Sequence, residues 1–436
     1  MTDTLAIRGG TPVVRKDLHV RWPIITQEDK AAVLAAMDSG ILNGPYAPQV
    51  KALEEEWARY CHVKYALTTN SGTSALHTAV AAAGIGTGDQ VITTAFTFLA
   101  TALAVLQHNA IPVFVDIDPR TYNIDPAKIE ARITSRTKAI IPVHIHGLPA
   151  DMDPILVIAR KYGLTVIEDA AQAHGSTYKS KRVGGIGDMG IFSFQGSKNL
   201  PAGEGGIFVT NREDLRDRAN MFRMFGEDIR ESDKKAFDPS RPLDGAREYN
   251  SLMMGWMYRT NEMSAALCRS QLRRLDASLE NCRRNAAYLT EHLGKIRGVT
   301  PPYIPPDCTS SYYQYRIRLD RRAAGVDLPA KEFRSKVLAA LKAEGVEVSL
   351  WQTVPVPGQT LFQERTGYGL SCPWKCPLGE EVKYDLAEYP ETVKLLADSL
   401  TIGSHSHPLF PQPLELMRCY VEAFERIFAN LSQVVA

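Results

Sequence analysis

Three short segments of the chain carry side chains that could take part in chemistry. The segment 69–75 reads TNSGTSA, a small polar turn that opens directly into an alanine-rich run. Free N–H groups at the start of a helix can hold an anion such as phosphate, although an ordinary Ser/Thr helix cap has the same composition. The segment 166–172 reads VIEDAAQ and places Glu168 and Asp169 at the end of an apolar run. Ligands of α/β proteins bind at such strand ends, and a structural helix cap is the alternative interpretation.

The third segment, 192–198, reads FSFQGSK and ends on Lys198, shortly before the GEGG turn at 203–206. Most lysines lie on solvated surfaces, but a lysine in a confined apolar site has a lowered pKa and can form a Schiff base. The three segments together match what pyridoxal phosphate requires. Its phosphate needs N–H donors, its pyridine nitrogen needs an anion and its aldehyde needs an amine. The sequence therefore predicts a site for this cofactor around Asp169 and Lys198.

The elements that must position these residues alternate between strand and helix. Short β-rich runs are predicted as strands at 90–94, 112–117, 139–144, 164–168, 190–194 and 206–210. Helix-like runs lie between them at 74–83, 126–133 and 154–162, the second with Asp125 as a cap and Pro126 at its first position. Near-continuous apolar strands indicate a sheet that is covered on both faces. We therefore predict an α/β fold with a doubly wound, mostly parallel sheet that is partly antiparallel where the last strands lie close together.

The second half of the chain changes character. A polar segment at 226–250 precedes a helical run at 261–293, and Pro-rich linkers follow from about residue 294. Beyond them we predict a strand at 312–319 and helices at 330–344 and 413–431. The expected organisation is an N-terminal arm over 1–19, a large α/β domain over 20–290 and a smaller C-terminal α+β domain over 291–436.

Composition narrows the class of protein. The chain has 436 residues, of which 44% are hydrophobic, and 50 Lys plus Arg balance 49 Asp plus Glu. A net charge of +1 predicts neither nucleic acid nor a membrane surface as a partner. No run approaches the roughly 20 apolar residues that cross a bilayer, and no signal peptide is visible at the N-terminus. We therefore expect a cytoplasmic enzyme.

Histidine and cysteine patterns do not favour a metal or a redox centre. The pairs His144/His146 and His405/His407 could each present two imidazoles to one side of a strand, but a zinc site needs further ligands and none stands out. Seven cysteines do not make a disulfide framework in a chain of this length. Cys372 and Cys376 lack the redox C-x-x-C spacing, which favours an ordinary loop. No metal is expected.

With these segments in view, the sequence resembles the DegT–StrS group of sugar aminotransferases, which are fold-type-I pyridoxal phosphate enzymes. This group includes nucleotide-sugar aminotransferases, cyclitol aminotransferases and aminohydroxybenzoate synthases. The resemblance is densest up to about Asp214 and is looser from there to the end. The matching blocks are 9–12, 69–75, 95–98, 114–117, 149–152, 168–175 and 192–206.

The resemblance implies a role for each matching residue. Lys198 would form the Schiff base and carry the proton, and Asp169 would pair with the pyridinium nitrogen. Phe98 would stack on the cofactor ring, and Gln172 would lie near the ring hydroxyl or the substrate. The phosphate would be held by Gly72, Thr73, Ser74 and Ser193.

The sequence departs from the family pattern in the block GWMYR at 255–259. Relatives usually carry Asn where this chain has Met257, and that Asn reaches the phosphate of the neighbouring subunit. Methionine cannot donate a hydrogen bond, so this contact is in doubt. Arg259 matches the family and would face the partner's site, or alternatively form an interface salt bridge. His405 and His407 are further candidates for substrate contact from the small domain.

These residues imply a homodimeric aminotransferase with shared active sites. The resemblance predicts transfer of an amino group from glutamate or glutamine to a keto group on a sugar, nucleotide sugar or cyclitol. Two alternatives stay open, an aminohydroxybenzoate synthase-like enzyme and a non-catalytic regulator with the same fold. Relatives that dehydrate sugars carry histidine at the lysine position, so Lys198 argues against that subtype.

Overall fold

A computed structural model describes residues 4–229, 250–379 and 382–435. Most of the polar segment predicted at 226–250 therefore lies outside the described residues. The described residues form fourteen strands, numbered β1 to β14 in chain order: Tyr65–Thr69, Gln90–Thr94, Ile111–Val115, Thr137–Ile141, Thr165–Asp169, Thr177–Tyr178, Lys181–Arg182, Met189–Ser193, Gly206–Thr210, Val299–Thr300, Cys308–Thr309, Tyr315–Leu319, Val348–Ser349 and Ser399–Ile402.

Thirteen α-helices connect and cover these strands within the described ranges. Numbered α1 to α13 in chain order, they are Gln27–Asp38, Pro48–Cys61, Gly72–Ala82, Ala100–Gln107, Met152–Tyr162, Glu213–Phe222, Glu262–Leu272, Leu275–Leu293, Ala330–Ala343, Thr360–Glu364, Pro390–Asp398, Leu414–Ala429 and Leu431–Val435.

The large sheet has seven strands in the order β1-β9-β8-β5-β4-β2-β3. Strand β9 is antiparallel to both of its neighbours, and the other pairs in this sheet are parallel. Strands β2 and β3 are buried along their whole length because helices cover both faces of the sheet. The predicted α/β class and its mostly parallel mixed sheet are confirmed.

A second, antiparallel sheet has the order β10-β12-β14-β13. Its core contains apolar side chains of α8, α9 and α12, together with Leu5 and Val14 from the N-terminal arm. In α8 the buried residues recur at intervals of three or four, which is the period of one helix face. The C-terminal half thus has a core of its own, and the predicted domain boundaries stay a prediction.

Three sequence predictions differ from the structure. The helix predicted at 126–133 is wrong, because the chain makes only the single 3₁₀ turns Pro126–Lys128 and Glu130–Arg132 there. The run at 261–293 is interrupted between α7 and α8 rather than continuous. Strand β1 was not predicted, although it forms the edge of the large sheet. Short segments such as these have too few residues for local pattern alone to fix their conformation.

The cysteine prediction needs one correction. Cys372 and Cys376 lie in a stretch of turns that brings their Cα atoms to 5.5 Å, and a disulfide joins them. Proximity created by the turns, rather than a motif spacing, makes the bond geometrically possible. The other five cysteines carry free thiols.

Within the described ranges, no helix is both long enough and apolar enough to cross a membrane.

Candidate active site

The three chemically interesting segments meet at one cavity of about 280 Å³. They follow the carboxyl ends of β1, β5 and β8, which lie at the same edge of the large sheet because β5 and β8 are parallel and β1 joins them through antiparallel β9. Residues from the C-terminal half close the other side. The lining comprises Ser71, Gly72, Thr73, Leu76, Thr97, Phe98, Ala100, Val143, Asp169, Ala171, Gln172, Ser193, Gln195, Ser197, Lys198, Glu204, Tyr313, Trp351 and His405.

The N-terminus of α3 forms one end of this cavity. Ser71 and Ser74 cap the helix reciprocally, with the Ser74 N–H donating to Ser71 Oγ at 3.1 Å. The N–H groups of Gly72 and Thr73, by contrast, have no acceptor among the described residues. A Cβ added to Gly72 would come within 2.7 Å of the Ser193 Cβ, so only glycine allows this close approach. The result is a cradle of backbone donors beside a serine hydroxyl, which suits a phosphate.

Ser74 plays a different part from the one predicted for it. Its hydroxyl donates to Asn70 Oδ1 at 2.6 Å and accepts from the Ser71 N–H at 3.0 Å. Ser74 is buried and does not line the cavity. It therefore shapes the cradle by fixing the start of α3, while Gly72, Thr73 and Ser193 face the space where a phosphate would lie.

Asp169 is the last residue of β5 and is 5% exposed. Burial raises the pKa of this carboxyl group, and hydrogen bonds and the nearby Lys198 act in the opposite direction. Thr101 Oγ1 donates to Asp169 Oδ2 at 2.7 Å, and the Ala171 N–H donates to Oδ1 at 3.2 Å. Two donors on a carboxylate that faces the cavity favour its charged form. A protonated pyridine nitrogen would be its natural partner.

Lys198 lies in the turn after β8, on the wall formed with the C-terminal half. Its Nζ is 4.2 Å from the centroid of the Tyr313 ring, a distance at which the aromatic face attracts an ammonium group. The Tyr313 hydroxyl is 3.1 Å from Ser197 Oγ, which ties the ring to the lysine turn. On the outer side, Trp22 Nε1 donates to the Lys198 carbonyl at 3.2 Å. The amine is thus aimed into the cavity from a well-anchored backbone.

Gln172 lines the cavity and is held by a buried polar network. Its Oε1 accepts from the His146 N–H at 2.8 Å, and Arg316 Nε donates to His146 Nε2 at 3.0 Å. Burial and the neighbouring Arg316 lower the pKa of His146 well below its ordinary value. Because His146 Nε2 must accept, its neutral ring carries the proton on Nδ1. The network connects the large sheet to strand β12 directly behind the site.

The predicted substrate residues do not all meet at the cavity. Phe98 and His405 line it, and burial together with the nearby Lys198 lowers the pKa of His405. His407 does not line it, because its Nδ1 is 3.7 Å from Glu347 Oε1. Arg259 is also absent from the lining of this subunit's cavity.

The block around Met257 runs beside the phosphate cradle. The Asn70 N–H donates to the Tyr258 carbonyl at 2.8 Å, immediately before the residues of the cradle. Met257 pairs with Met224 in an isolated bridge, and its side chain is 45% exposed. Met257 is therefore an exposed residue next to the cradle, whereas the Tyr258 hydroxyl lies 3.0 Å from Nδ1 of the buried His77.

Sequence reasoning missed Thr101, Tyr313 and Trp351. Each depends on a contact between residues distant in sequence, so no local pattern could have marked it.

Glu168, the second carboxylate of its segment, is structural. It accepts from His144 Nε2 at 2.9 Å and from the N–H groups of Gly184, Ile186 and Gly187. In the parts of the chain that the structure describes, no cluster of three or more His, Cys, Asp or Glu could hold a metal ion.

The mixed α/β sheet with this cavity at its edge defines a fold-type-I pyridoxal phosphate aminotransferase. Its backbone donors, buried carboxylate and lysine fit the phosphate, the ring nitrogen and the aldehyde of that cofactor. Residues 23–400 match the model of the DegT/DnrJ/EryC1/StrS aminotransferase family, and the chain belongs to this family.

Three known proteins illustrate the likeness. The L-glutamine:2-deoxy-scyllo-inosose aminotransferase of Micromonospora echinospora is 33% identical over 434 residues, 98% of each chain. The GDP-perosamine synthase of Caulobacter vibrioides is 37% identical over 331 residues, 76% of this chain and 83% of that protein. The crystal structure of 3-amino-5-hydroxybenzoic acid synthase superimposes with a TM-score of 0.79 at 27% identity, covering 94% of this chain and 98% of that one.

Proposed function

We propose that this protein transfers the amino group of glutamine or glutamate to a ring ketone of a sugar or cyclitol. The observation that carries the proposal is that Lys198, Asp169 and the N-terminus of α3 line one cavity. No single one of these features is specific, but a cofactor with a phosphate, a basic ring and an aldehyde uses all three at once.

The residues of the chain divide the work between binding and proton transfer. The N–H groups of Gly72 and Thr73 bind the phosphate, with the Ser193 hydroxyl beside them, and Phe98 covers the cofactor ring. Asp169 keeps the pyridine nitrogen protonated. Pyridoxal phosphate, when bound, supplies the electron sink that weakens bonds at the reacting carbon.

Lys198 is the general base and acid of the proposed reaction. Its Nζ removes a proton from the amino donor and returns it at a second atom. The Tyr313 ring, 4.2 Å away, gives this amine an apolar surface to rest against. Gln172, fixed by His146, limits where the reacting substrate can lie.

The acceptor is best supported as a cyclitol ketone with glutamine as donor. Four relatives are named as L-glutamine-dependent scyllo-inosose aminotransferases, and one of them aligns over 98% of this chain. The C-terminal half supplies Tyr313, Trp351 and His405 to the cavity, so likeness there bears directly on substrate choice. The Tyr313 and His405 rings lie nearly parallel, with 6.5 Å between their centroids and 25° between their planes, and offer a surface that suits a carbocyclic or sugar ring.

A homodimer is supported by two apolar stretches that the described part of the subunit leaves exposed. One lies in and around α1 and includes Leu34, Met37 and Leu42, and the other includes Met254 and Trp256. The chain that follows the second stretch reaches the first, where the Glu262 N–H donates to the Leu42 carbonyl at 3.0 Å. Exposed apolar surfaces of this kind typically mark interfaces. A second copy of this chain would cover them and bring Arg259 and Met257 toward the partner's site. The cytoplasmic location stays a prediction.

The first experiment follows the two half-reactions separately. Holoenzyme is treated with L-glutamine or L-glutamate, which should bleach the visible cofactor band, and excess donor is removed. A cyclitol ketone such as 2-deoxy-scyllo-inosose and a GDP-linked keto sugar are then added in turn. The acceptor that restores the band identifies the substrate class, and the complete reaction should show ping-pong kinetics. If neither donor bleaches the band, the aminotransferase proposal fails in favour of the regulator. Donor reaction without return by any keto ring favours the synthase-like alternative.

The second experiment tests the lysine assignment. Borohydride reduction of the holoenzyme followed by peptide mapping should attach the cofactor to Lys198. Lys198→Ala should prevent this labelling and abolish turnover. Lys179→Ala is the matched control, since that lysine is exposed and pairs with Asp153. Labelling of any other lysine contradicts the assignment.

A further inference from the structure

A second cavity of about 640 Å³ lies where the large sheet's loops meet the C-terminal half. It shares no lining residue with the cavity of Lys198. Its walls come from the loop after β3, from the end of β12 with the turn that follows it, and from α11. The lining comprises Pro119, Arg120, Tyr122, Thr300, Pro301, Tyr303, Arg318, Leu319, Asp320, Arg321, Arg322, Ala330, Lys394, Ala397 and Asp398.

The lining contains more positive than negative charge, namely four arginines and one lysine against two aspartates. Two of the arginines are neutralised. Arg318 donates to both oxygens of Asp398, at 3.1 and 2.6 Å. Arg321 pairs with Asp327 at 3.4 Å. The charges of these two arginines are therefore already balanced.

The three other cations of the lining form no ion pair at contact distance with a carboxylate among the described residues. Arg120 stacks on the Tyr303 ring, with its guanidinium carbon 3.8 Å from the ring centroid. Arg322 uses only its backbone N–H, which donates to Asp320 Oδ1 at 2.9 Å. Lys394, on α11, forms no ion pair at contact distance among the described residues, and its charge acts more weakly on the Asp398 carboxylate one helical turn away. Three positive groups from separate elements thus share one concave space, and an anion in that space would relieve their mutual repulsion.

We propose that this cavity binds a small molecule that carries a polyvalent phosphate. A guanidinium group matches a phosphate with paired N–H donors, and a lysine adds a compact charge. The Arg120–Tyr303 stack adds a flat surface for a ring attached to the phosphate. Because Arg120 belongs to the large sheet's side while Arg322 and Lys394 belong to the C-terminal half, the bound anion joins the two halves of the subunit.

The test measures pyrophosphate binding to the pyridoxal phosphate-loaded enzyme by calorimetry. The cofactor then occupies the phosphate cradle of α3, so the pyrophosphate reports on the second cavity. Sodium chloride at matched ionic strength controls for general screening. We expect saturable binding of one pyrophosphate per subunit, an unchanged cofactor absorbance and a higher thermal midpoint, since a ligand of the folded state stabilises it.

A triple variant removes these three charges and keeps both side chains of the Arg318–Asp398 pair. In Arg120→Ala/Arg322→Ala/Lys394→Ala, pyrophosphate affinity should fall by about a hundredfold or more, because hydrogen bonds to charged groups are strong and three are lost. The matched control Arg59→Ala/Arg418→Ala/Lys138→Ala makes the same change in net charge at exposed residues elsewhere. It should bind pyrophosphate as the parent does.

Three results overturn the proposal. They are absence of saturable binding in the parent, an equal loss in the control triple variant, or release of the cofactor by pyrophosphate. ADP and pyrophosphate, compared side by side, distinguish the sources of the phosphate. If ADP binds more tightly than pyrophosphate and Tyr303→Leu removes that difference, the natural ligand is a nucleotide. If ADP and pyrophosphate bind with equal affinity, the natural ligand is a simpler phosphate compound.

Discussion

Replacing Thr101 by valine should weaken cofactor binding through Asp169, although Thr101 itself does not line the cavity. The Thr101 hydroxyl has one proton and lies near two acceptors, Asp169 Oδ2 at 2.7 Å and the Phe98 carbonyl at 3.2 Å. The charged oxygen at the shorter distance is the stronger acceptor. Thr97, whose hydroxyl is 2.8 Å from that of Thr101, can then donate to it. Valine has the same shape as threonine and removes only the hydroxyl.

The size of the effect follows from the environment of the carboxylate. A hydrogen bond to a charged group contributes about 1.5–3 kcal/mol. Burial already raises the pKa of Asp169, and the Thr101 bond opposes that effect. Its loss should raise the pKa further. The charged carboxylate that holds the pyridinium nitrogen then becomes less stable, and cofactor affinity should fall roughly tenfold to a hundredfold.

The assay is the dissociation constant of pyridoxal phosphate measured against pH. As the pH is lowered, the cofactor affinity of Thr101→Val should begin to fall at a higher pH than that of the parent, because a larger fraction of Asp169 is protonated at a given pH. Thr78→Val is the control, since the Thr78 hydroxyl is buried in α3 with no hydrogen-bond partner in the described structure. That variant should bind as the parent does. Unchanged affinity and an unchanged pH profile in Thr101→Val would refute the reasoning, because the hydroxyl would then not support the carboxylate.

Three further predictions concern the cofactor's charge, the partner subunit and acid stability. Asp169→Asn should fold normally but react much more slowly in each half-reaction, measured by stopped-flow absorbance, because asparagine cannot keep the ring nitrogen protonated. Half-reaction rates equal to those of the parent would mean that Asp169 only caps the turn after β5. Met257→Asn should slow cofactor dissociation roughly tenfold or more if a partner's phosphate lies there; a lower thermal midpoint with unchanged dissociation would instead mean that Met257 only packs. Burial lowers the pKa of His77 and of His174 to about 3. Their unfolded forms titrate near 6.5, so the unfolded chain binds more protons below that pH. The free energy of unfolding, measured by urea titration, should therefore fall as the pH decreases from about 6.5 toward 3, by up to about 1.4 kcal/mol per pH unit for each histidine. A free energy of unfolding that does not change over this pH range would contradict these burial effects.

The sequence alone located six of the seven strands of the large sheet, including β5 and β8 beside the site, but not β1 before the phosphate cradle. Predicted strands at 90–94 and 206–210 coincide with β2 and β9, and the other four predicted for the large sheet lie within a few residues of the observed ones. Their apolar runs are buried on both faces, so hydrophobic pattern and strand conformation agree locally. The same reasoning failed at 126–133, where a helix-like composition makes only two 3₁₀ turns.

The chemistry of the site was equally local. Asp169, Lys198 and the turn before α3 each stand at the end of a strand, and parallel strands bring such ends to one edge. For Asp169 and Lys198, residue type and a nearby predicted strand were enough to predict a shared site, whereas the strand before α3 was recognised only in the structure. Ser74 shows where residue type fails as a guide. Its hydroxyl caps α3 through Asn70 and Ser71, so it stabilises the cradle without lining the cavity.

Contacts between distant segments were decided only by the tertiary structure. Thr101 reaches Asp169 across 68 positions, and Tyr313 reaches Lys198 from the other half of the chain. His405 and His407 have the same type and nearly the same position, yet one lines the cavity and the other lies beside Glu347. Strand periodicity specifies which faces are buried, but it does not specify how two separately packed cores are placed against each other. That placement depends on side-chain packing over the whole interface, and it decides which side chains complete the site.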